Sequence, residues 1–145
     1  MKRWSKLKRD VESLMSPKLD FRIYANAYNI RECIQIPRFW ITVGRKIIWD
    51  WPKDFMDQEG WYFYDSAKKI PQLLRDYINT PESELLSKQF EDPFILVPIL
   101  RFCDKRIGKR RLKKLLEDPQ NFVTAIVISN RLSHKGIDEI TEIKG

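Results

Sequence analysis

The stretch Pro37–Pro52, P-R-F-W-I-T-V-G-R-K-I-I-W-D-W-P, constrains the fold more than any other. Two runs rich in β-branched and aromatic residues flank Gly44-Arg45. Glycine at the first position of a two-residue loop signals a type II′ hairpin, because that turn twists with its strands. The implied register sets Val43 against Lys46, Thr42 against Ile47, Ile41 against Ile48 and Trp40 against Trp49. Phe39, Ile41, Val43 and Ile48 would then share one face, and Trp40, Ile47, Trp49 and Trp51 the other. Two apolar faces predict a hairpin packed between other elements rather than against water.

The flanking sequence supplies those elements. Over residues 3–15, Trp4, Leu7, Val11, Leu14 and Met15 fall on one arc at helical spacing, and Ser16-Pro17 ends the helix. From Phe21 the period is two, with Phe21, Ile23, Ala25 and Ala27 alternating with Arg22, Tyr24, Asn26 and Tyr28, so a strand precedes the hairpin. A polar turn at 29–32 joins them, and Pro37 marks a bulge or strand start. Residues 50–65 form an acidic, aromatic connection whose W-Y-F-Y run suggests a fourth short strand. Ile70, Leu73, Leu74, Tyr77 and Ile78 then mark a helix that tolerates Pro71 only in its first turn. Thr80-Pro81, Asp92-Pro93 and Asp118-Pro119 repeat one helix-start signal, giving helices near 81–89, 93–104, 108–117 and 119–132. The run F-I-L-V-P-I-L within 93–104 reads equally as a buried strand. Residues 133–145 read as a flexible tail.

At 145 residues with 43% hydrophobic content the chain fits one globular domain, 1–145: helix plus sheet over 1–65, a helical part over 66–132, then the tail. The expected class is α+β. An N-terminal helix lies on a three- to four-stranded antiparallel meander, followed by a layer of four to five short helices. Cys33 and Cys103 make neither a metal spacing nor a disulfide scaffold, and no apolar run reaches bilayer length or forms a signal-peptide core. A reducing cytoplasm is the expected setting, with no membrane partner. The net charge of +7 is concentrated. Lys2, Arg3, Lys6, Lys8 and Arg9 form one cationic segment. Arg101, Lys105, Arg106, Lys109, Arg110, Arg111, Lys113 and Lys114 form a second against Asp104 alone, which leaves the remaining body acidic.

Three segments carry a family resemblance: Trp4–Lys8 (W-S-K-L-K), Trp40–Ile48 (W-I-T-V-G-R-K-I-I) and Asp104–Leu112 (D-K-R-I-G-K-R-R-L). With them the chain resembles a widespread bacterial family of small, uncharacterised proteins that carries a placeholder name. The resemblance spans most of the chain. It implies a compact bacterial cytoplasmic protein and brings no catalytic residue with it.

The densest candidate site is the basic helix at 106–116. On a wheel Arg106, Lys109, Arg110, Lys113 and Lys114 share one side, opposite Leu112, Leu115 and Leu116. Such a face, with Lys6 and Arg9 of the leading helix, suits nucleic acid or another acidic partner, because it neutralises phosphates and releases counterions. The plainer reading is a solvated helix face. Arg111 lies beside the apolar arc, where a planar fork calls for a structural ion pair, a buried one with a carboxylate of the body. The rival function is an interaction or immunity-type protein that binds a cognate protein through 50–65, with Phe55 and Trp61 as contacts. Asp54, Asp57 and Glu59 match no calcium-loop spacing. His134 is the single histidine, in the expected tail, and Gly44, Gly60 and Gly108 are isolated, so neither a catalytic base nor a phosphate loop is legible. A nuclease core with Asp50 and Asp65 as metal ligands lacks the lysine two residues on, since Lys68 is three away. The sequence therefore points to a non-enzymatic binding module without cofactor or metal, and leaves its oligomeric state open.

Overall fold

The computed structural model describes residues 2–26, 38–51, 53 and 63–117. In chain order these form α1 (Lys2–Leu14), β1 (Phe21–Asn26), β2 (Arg38–Val43), β3 (Lys46–Trp51), α2 (Phe63–Ile78), α3 (Leu96–Cys103) and α4 (Lys109–Glu117). Short 3-10 turns occur at Pro17–Leu19 and Glu82–Glu84. The class is α+β: a leading helix, a three-stranded antiparallel sheet in the order β1-β2-β3, then helices.

The hairpin turns where glycine is needed. Gly44 has φ 61° and Arg45 stays out of the left-handed region. The Gly44 amide donates to the carbonyls of Leu19 (3.2 Å) and Asp20 (3.3 Å), tying the tip to the end of the α1–β1 connection. Val43 faces Lys46 and Thr42 faces Ile47, as the loop length implies. Beyond them β3 inserts Ile48 as an extra residue, so Ile41 faces Trp49, Trp40 faces Asp50 and Phe39 faces Trp51. The expected Ile41–Ile48 and Trp40–Trp49 pairs are thus replaced.

A bulge shifts every later side chain to the opposite face. Here it brings Trp49 and Trp51 beside Phe39, Ile41 and Ile48 in the core, where each is at most 2% exposed. Burying an aromatic of that size is worth about 1.5–3 kcal/mol, more than enough to favour an interrupted ladder. The second face is consequently half-open instead of apolar. Tyr24 and Trp40 stack across it at 5.2 Å, and Arg38 lies 4.2 Å over Trp40. Arg38 also donates Nε and Nη2 to the two oxygens of Asp50, at 3.0 and 2.8 Å, while Ile47 is exposed.

α1 lies against the sheet through Leu7 and Val11, with Trp4 edge-on to Phe39 at 5.7 Å. It also closes the free edge of β1. The Ile23 amide donates to Glu12 Oε2 at 3.0 Å, and Lys8 Nζ donates to the Ile23 carbonyl and to the same carboxylate oxygen. Satisfying the outward polar groups of an edge strand at its middle in this way blunts it as a template for pairing with another chain.

The helices depart from expectation at three places. α2 begins at Phe63, so the second half of the W-Y-F-Y run is helical and not a fourth strand; Trp61 and Tyr62 lie outside the described residues. Pro71 therefore stands in the third turn, where it removes a backbone hydrogen bond at a cost of about 3 kcal/mol. Buried Ile70, Leu73, Leu74 and Tyr77 hold the helix in place across it. Residues 81–89 form only the short turn, because the Thr80 hydroxyl donates backwards to the Asp76 carbonyl at 2.7 Å instead of capping forwards. The 93–104 region is helix, not strand, and starts at Leu96. Asp92 accepts from the amides of Phe94 (3.1 Å) and Val97 (2.7 Å), Ile95 bridges them at φ 55°, and Pro98 falls in the first turn. Burial pushes the Asp92 carboxyl above its ordinary value against those amides.

Three helices thus follow the sheet among the described residues, against four to five expected. The 119–132 helix and the 133–145 tail lie outside the described residues. Buried side chains from Leu7 to Leu115 make one apolar cluster.

Gly44 tests the hairpin reading. No atom lies within 4 Å of where a Cβ would stand, so Gly44→Ala pays only for its positive φ. Urea unfolding should show a loss of about 1–2 kcal/mol; an unchanged midpoint would contradict the turn geometry.

Candidate functional site

The site is built outward from the motif segment Asp104–Leu112. Asp104 follows α3 and is 0% exposed. A carboxylate without water needs donors on both oxygens. Tyr77 Oη donates to Oδ2 at 2.6 Å. Arg106 donates its amide to Oδ1 (2.8 Å), its Nε to both oxygens (3.1 and 3.2 Å) and its Nη2 to Oδ2 (2.8 Å). Arg106 Nη1 continues to the Thr80 carbonyl at 3.3 Å. The hydrogen bond to Asp104 raises the Arg106 guanidinium above its ordinary value, so it stays charged. The neighbouring backbone is clamped as well: Ser16 N donates to Cys103 O (2.8 Å) and Lys105 N to Leu14 O (2.9 Å). This clasp joins the ends of α1, α2 and α3 immediately before α4.

Ile107, Leu112 and Leu115 are buried behind it, which fixes how α4 is rotated. Arg110, Lys113 and Lys114 are exposed and make no ion pair among the described residues. The side chain of Lys109 lies outside the described residues. Arg106, placed on the same cationic face by the wheel, is instead committed to Asp104 and is 18% exposed. Arg111 Nη1 lies 3.5 Å from Glu82 Oε1, with the two side chains 43% and 57% exposed. Its carboxylate partner is therefore at the surface and not buried, where such a pair is worth about 0–1 kcal/mol.

The other cations stand elsewhere. Lys6 and Arg9 are exposed on α1, and Lys6 lines a groove with Leu7, Asp10, Arg75, Ile78 and Asn79. Lys114 lines a different cleft of about 450 Å³, between residues 86–92, α3 and α4. The two concavities share no residue, so Lys6 and Lys114 line separate clefts. Lys88, Phe90, Asp92 and Arg101 complete the walls around Lys114. Arg101 donates Nε to the Leu85 carbonyl (3.1 Å) and Nη2 to the Lys88 carbonyl (2.9 Å), holding the 85–88 loop against α3. The Phe90 ring has Lys88 Nζ at 4.9 Å and Arg101 Cζ at 5.6 Å from its centre. Lys88 has no sequence signal, because only the tertiary fold brings it to Lys114.

Phe55, Trp61, Asp54, Asp57, Glu59, Asp118 and His134 lie outside the described residues. Asp50 is buried against Arg38, and Asp65 lies in α2. Among the described residues no group of three or more His, Cys, Asp or Glu side chains is placed to hold a metal ion, and no helix is long and apolar enough to cross a membrane.

The model of the SF0329 protein family matches residues 3–72 and 53–129. No curated protein and no solved structure matches.

The clasp has a pH signature. Burial first, then the charge of Asp104 and the bond donated to it, holds the Tyr77 hydroxyl well above 10. The native state keeps that proton where the unfolded chain releases it. The resulting stability is fully present below the unfolded value and is lost as pH climbs through the raised folded one. Urea midpoints should therefore fall between about pH 9 and about pH 11, and fall less steeply in Tyr77→Phe; parallel slopes would contradict the assignment.

Proposed function

The chain therefore belongs to the SF0329 protein family, and we propose that it is a non-enzymatic, cytoplasmic binding module whose α4 face holds the phosphate backbone of nucleic acid. One observation carries this reading: Arg110, Lys113 and Lys114 project from a helix fixed on its other side by Leu112 and Leu115, with no acid paired to them among the described residues. Cations kept unpaired near one another raise the local potential and draw in a polyanion. The surface offers charge and hydrogen-bond donors and not an acid–base pair, which supports binding over turnover. Arg106 takes no part in it, since Asp104 uses its guanidinium. Lys6 and Arg9 form a separate, secondary contact region.

Three or four phosphate contacts imply a slope near −3 in log affinity against log salt, a loss of roughly 60-fold between about 50 mM and about 200 mM. Fluorescence anisotropy with labelled single-stranded and duplex oligonucleotides should show that loss. Because both positions are exposed, Arg110→Glu with Lys113→Glu should leave stability within about 0.5 kcal/mol and abolish retention. Lys6→Glu with Arg9→Glu should weaken binding less. Absence of retention at low salt, or retention that survives the α4 reversals, would overturn the proposal; the second outcome would turn attention to a protein partner at 50–65.

A further inference from the structure

We infer that the cleft around Lys114 is a subsite for one nucleotide unit, a ligand carrying both a phosphate and a flat apolar ring; the choice of ligand rests on the nucleic-acid reading above. The cleft's volume, about 450 Å³, falls in the range of sites that enclose a small ligand. Its chemistry is divided. Lys88, Arg101 and Lys114 supply positive charge against a single acid, Asp92. That carboxylate caps α3 through the amides of Phe94 and Val97 and its charge also acts on Arg101, which leaves Lys88 and Lys114 to carry the cleft's net positive charge.

Lys88 Nζ donates to Thr80 Oγ1 at 3.3 Å and pairs with Asp76 at 3.6 Å at the surface, where such a pair is weak and can yield to a ligand, and Lys114 has no acid among the described residues. Cations gathered in a concave, low-dielectric setting concentrate an anion there more strongly than the same charges on a convex face. The rest of the wall is apolar and half-exposed at Leu86 and Phe90, with Val97, Pro98 and Leu115 behind. A half-exposed phenyl ring with the Lys88 ammonium 4.9 Å from its centre, in a cleft that Lys114 also lines, suits a base against the apolar wall and its phosphate on the lysines. Arg101 anchors the 85–88 loop by its two carbonyl bonds, so the walls are set before a ligand arrives.

The test is a titration of the full isotope-labelled chain, followed by amide NMR shifts, with a nucleoside 5′-monophosphate, the matching nucleoside and inorganic phosphate. The monophosphate should give saturable shifts at Ser87, Gln89, Phe90 and Lys114, and both fragments should bind about tenfold or more weakly. Lys114→Glu, at an exposed position, and Phe90→Leu, which keeps an apolar wall, should each weaken the monophosphate about tenfold. Arg110→Glu with Lys113→Glu should weaken it less than Lys114→Glu does, although the same pair abolishes oligonucleotide retention, which separates this inference from the previous one. Shifts confined to the exposed α4 face, equal binding of inorganic phosphate, or no saturation would overturn the subsite. Oligonucleotide retention with a silent cleft would sink the subsite alone. Monophosphate in the cleft without oligonucleotide retention would support the subsite and sink the polynucleotide reading.

Discussion

A buried negative charge governs the helical half of this molecule. Asp104 is 0% exposed, and an ion so placed costs several kcal/mol unless donors replace its water. Tyr77 from α2 and Arg106 from the next turn supply those donors, while the backbone on either side bonds to the end of α1. Chain segments nearly ninety residues apart are thereby held at one point. The entry to α4 starts from that point, so the clasp decides where the exposed cations of α4 stand. A hydrophobic contact could hold the helices together, but only a directional set of donors also fixes the angle at which the chain leaves.

Much of the architecture was legible because local rules and tertiary needs agree. Leu7 and Val11 recur at helical spacing and are buried; Phe21 and Ile23 alternate and are buried; Gly44 sits where a two-residue turn needs positive φ. The misreadings have a common physical origin. A simple alternation rule cannot anticipate the Ile48 bulge, which exists because Trp49 and Trp51 are worth more in the core than a straight ladder is. The Trp61–Tyr64 run has strand propensity, yet Phe63 and Tyr64 are helical, propensity being a weak prior against packing. Asp92 did announce a helix, though one that begins a turn later than its proline suggested.

The site was legible only in part. A helical wheel assigns Arg106 to the cationic face because it counts positions and ignores that α4 begins at Lys109. Asp104 entered the charge balance as one acid among eight bases, with nothing local to show that it is the buried one. The distinctive D-K-R-I-G-K-R-R-L segment thus divides its labour: Asp104, Arg106, Ile107 and Leu112 build the fold, and Arg110 faces water. The Lys88–Lys114 cleft is purely tertiary, created when Arg101 ties down the 85–88 loop.

If the clasp governs as described, the charge left alone should be worse than the pair removed. Equilibrium urea unfolding of Arg106→Met, Asp104→Asn and the double variant measures this directly. Arg106→Met should cost about 3–5 kcal/mol by stranding the buried carboxylate, and adding Asp104→Asn should restore part of that loss. A double variant no more stable than Arg106→Met, or an Arg106→Met cost below about 1 kcal/mol, would contradict the account.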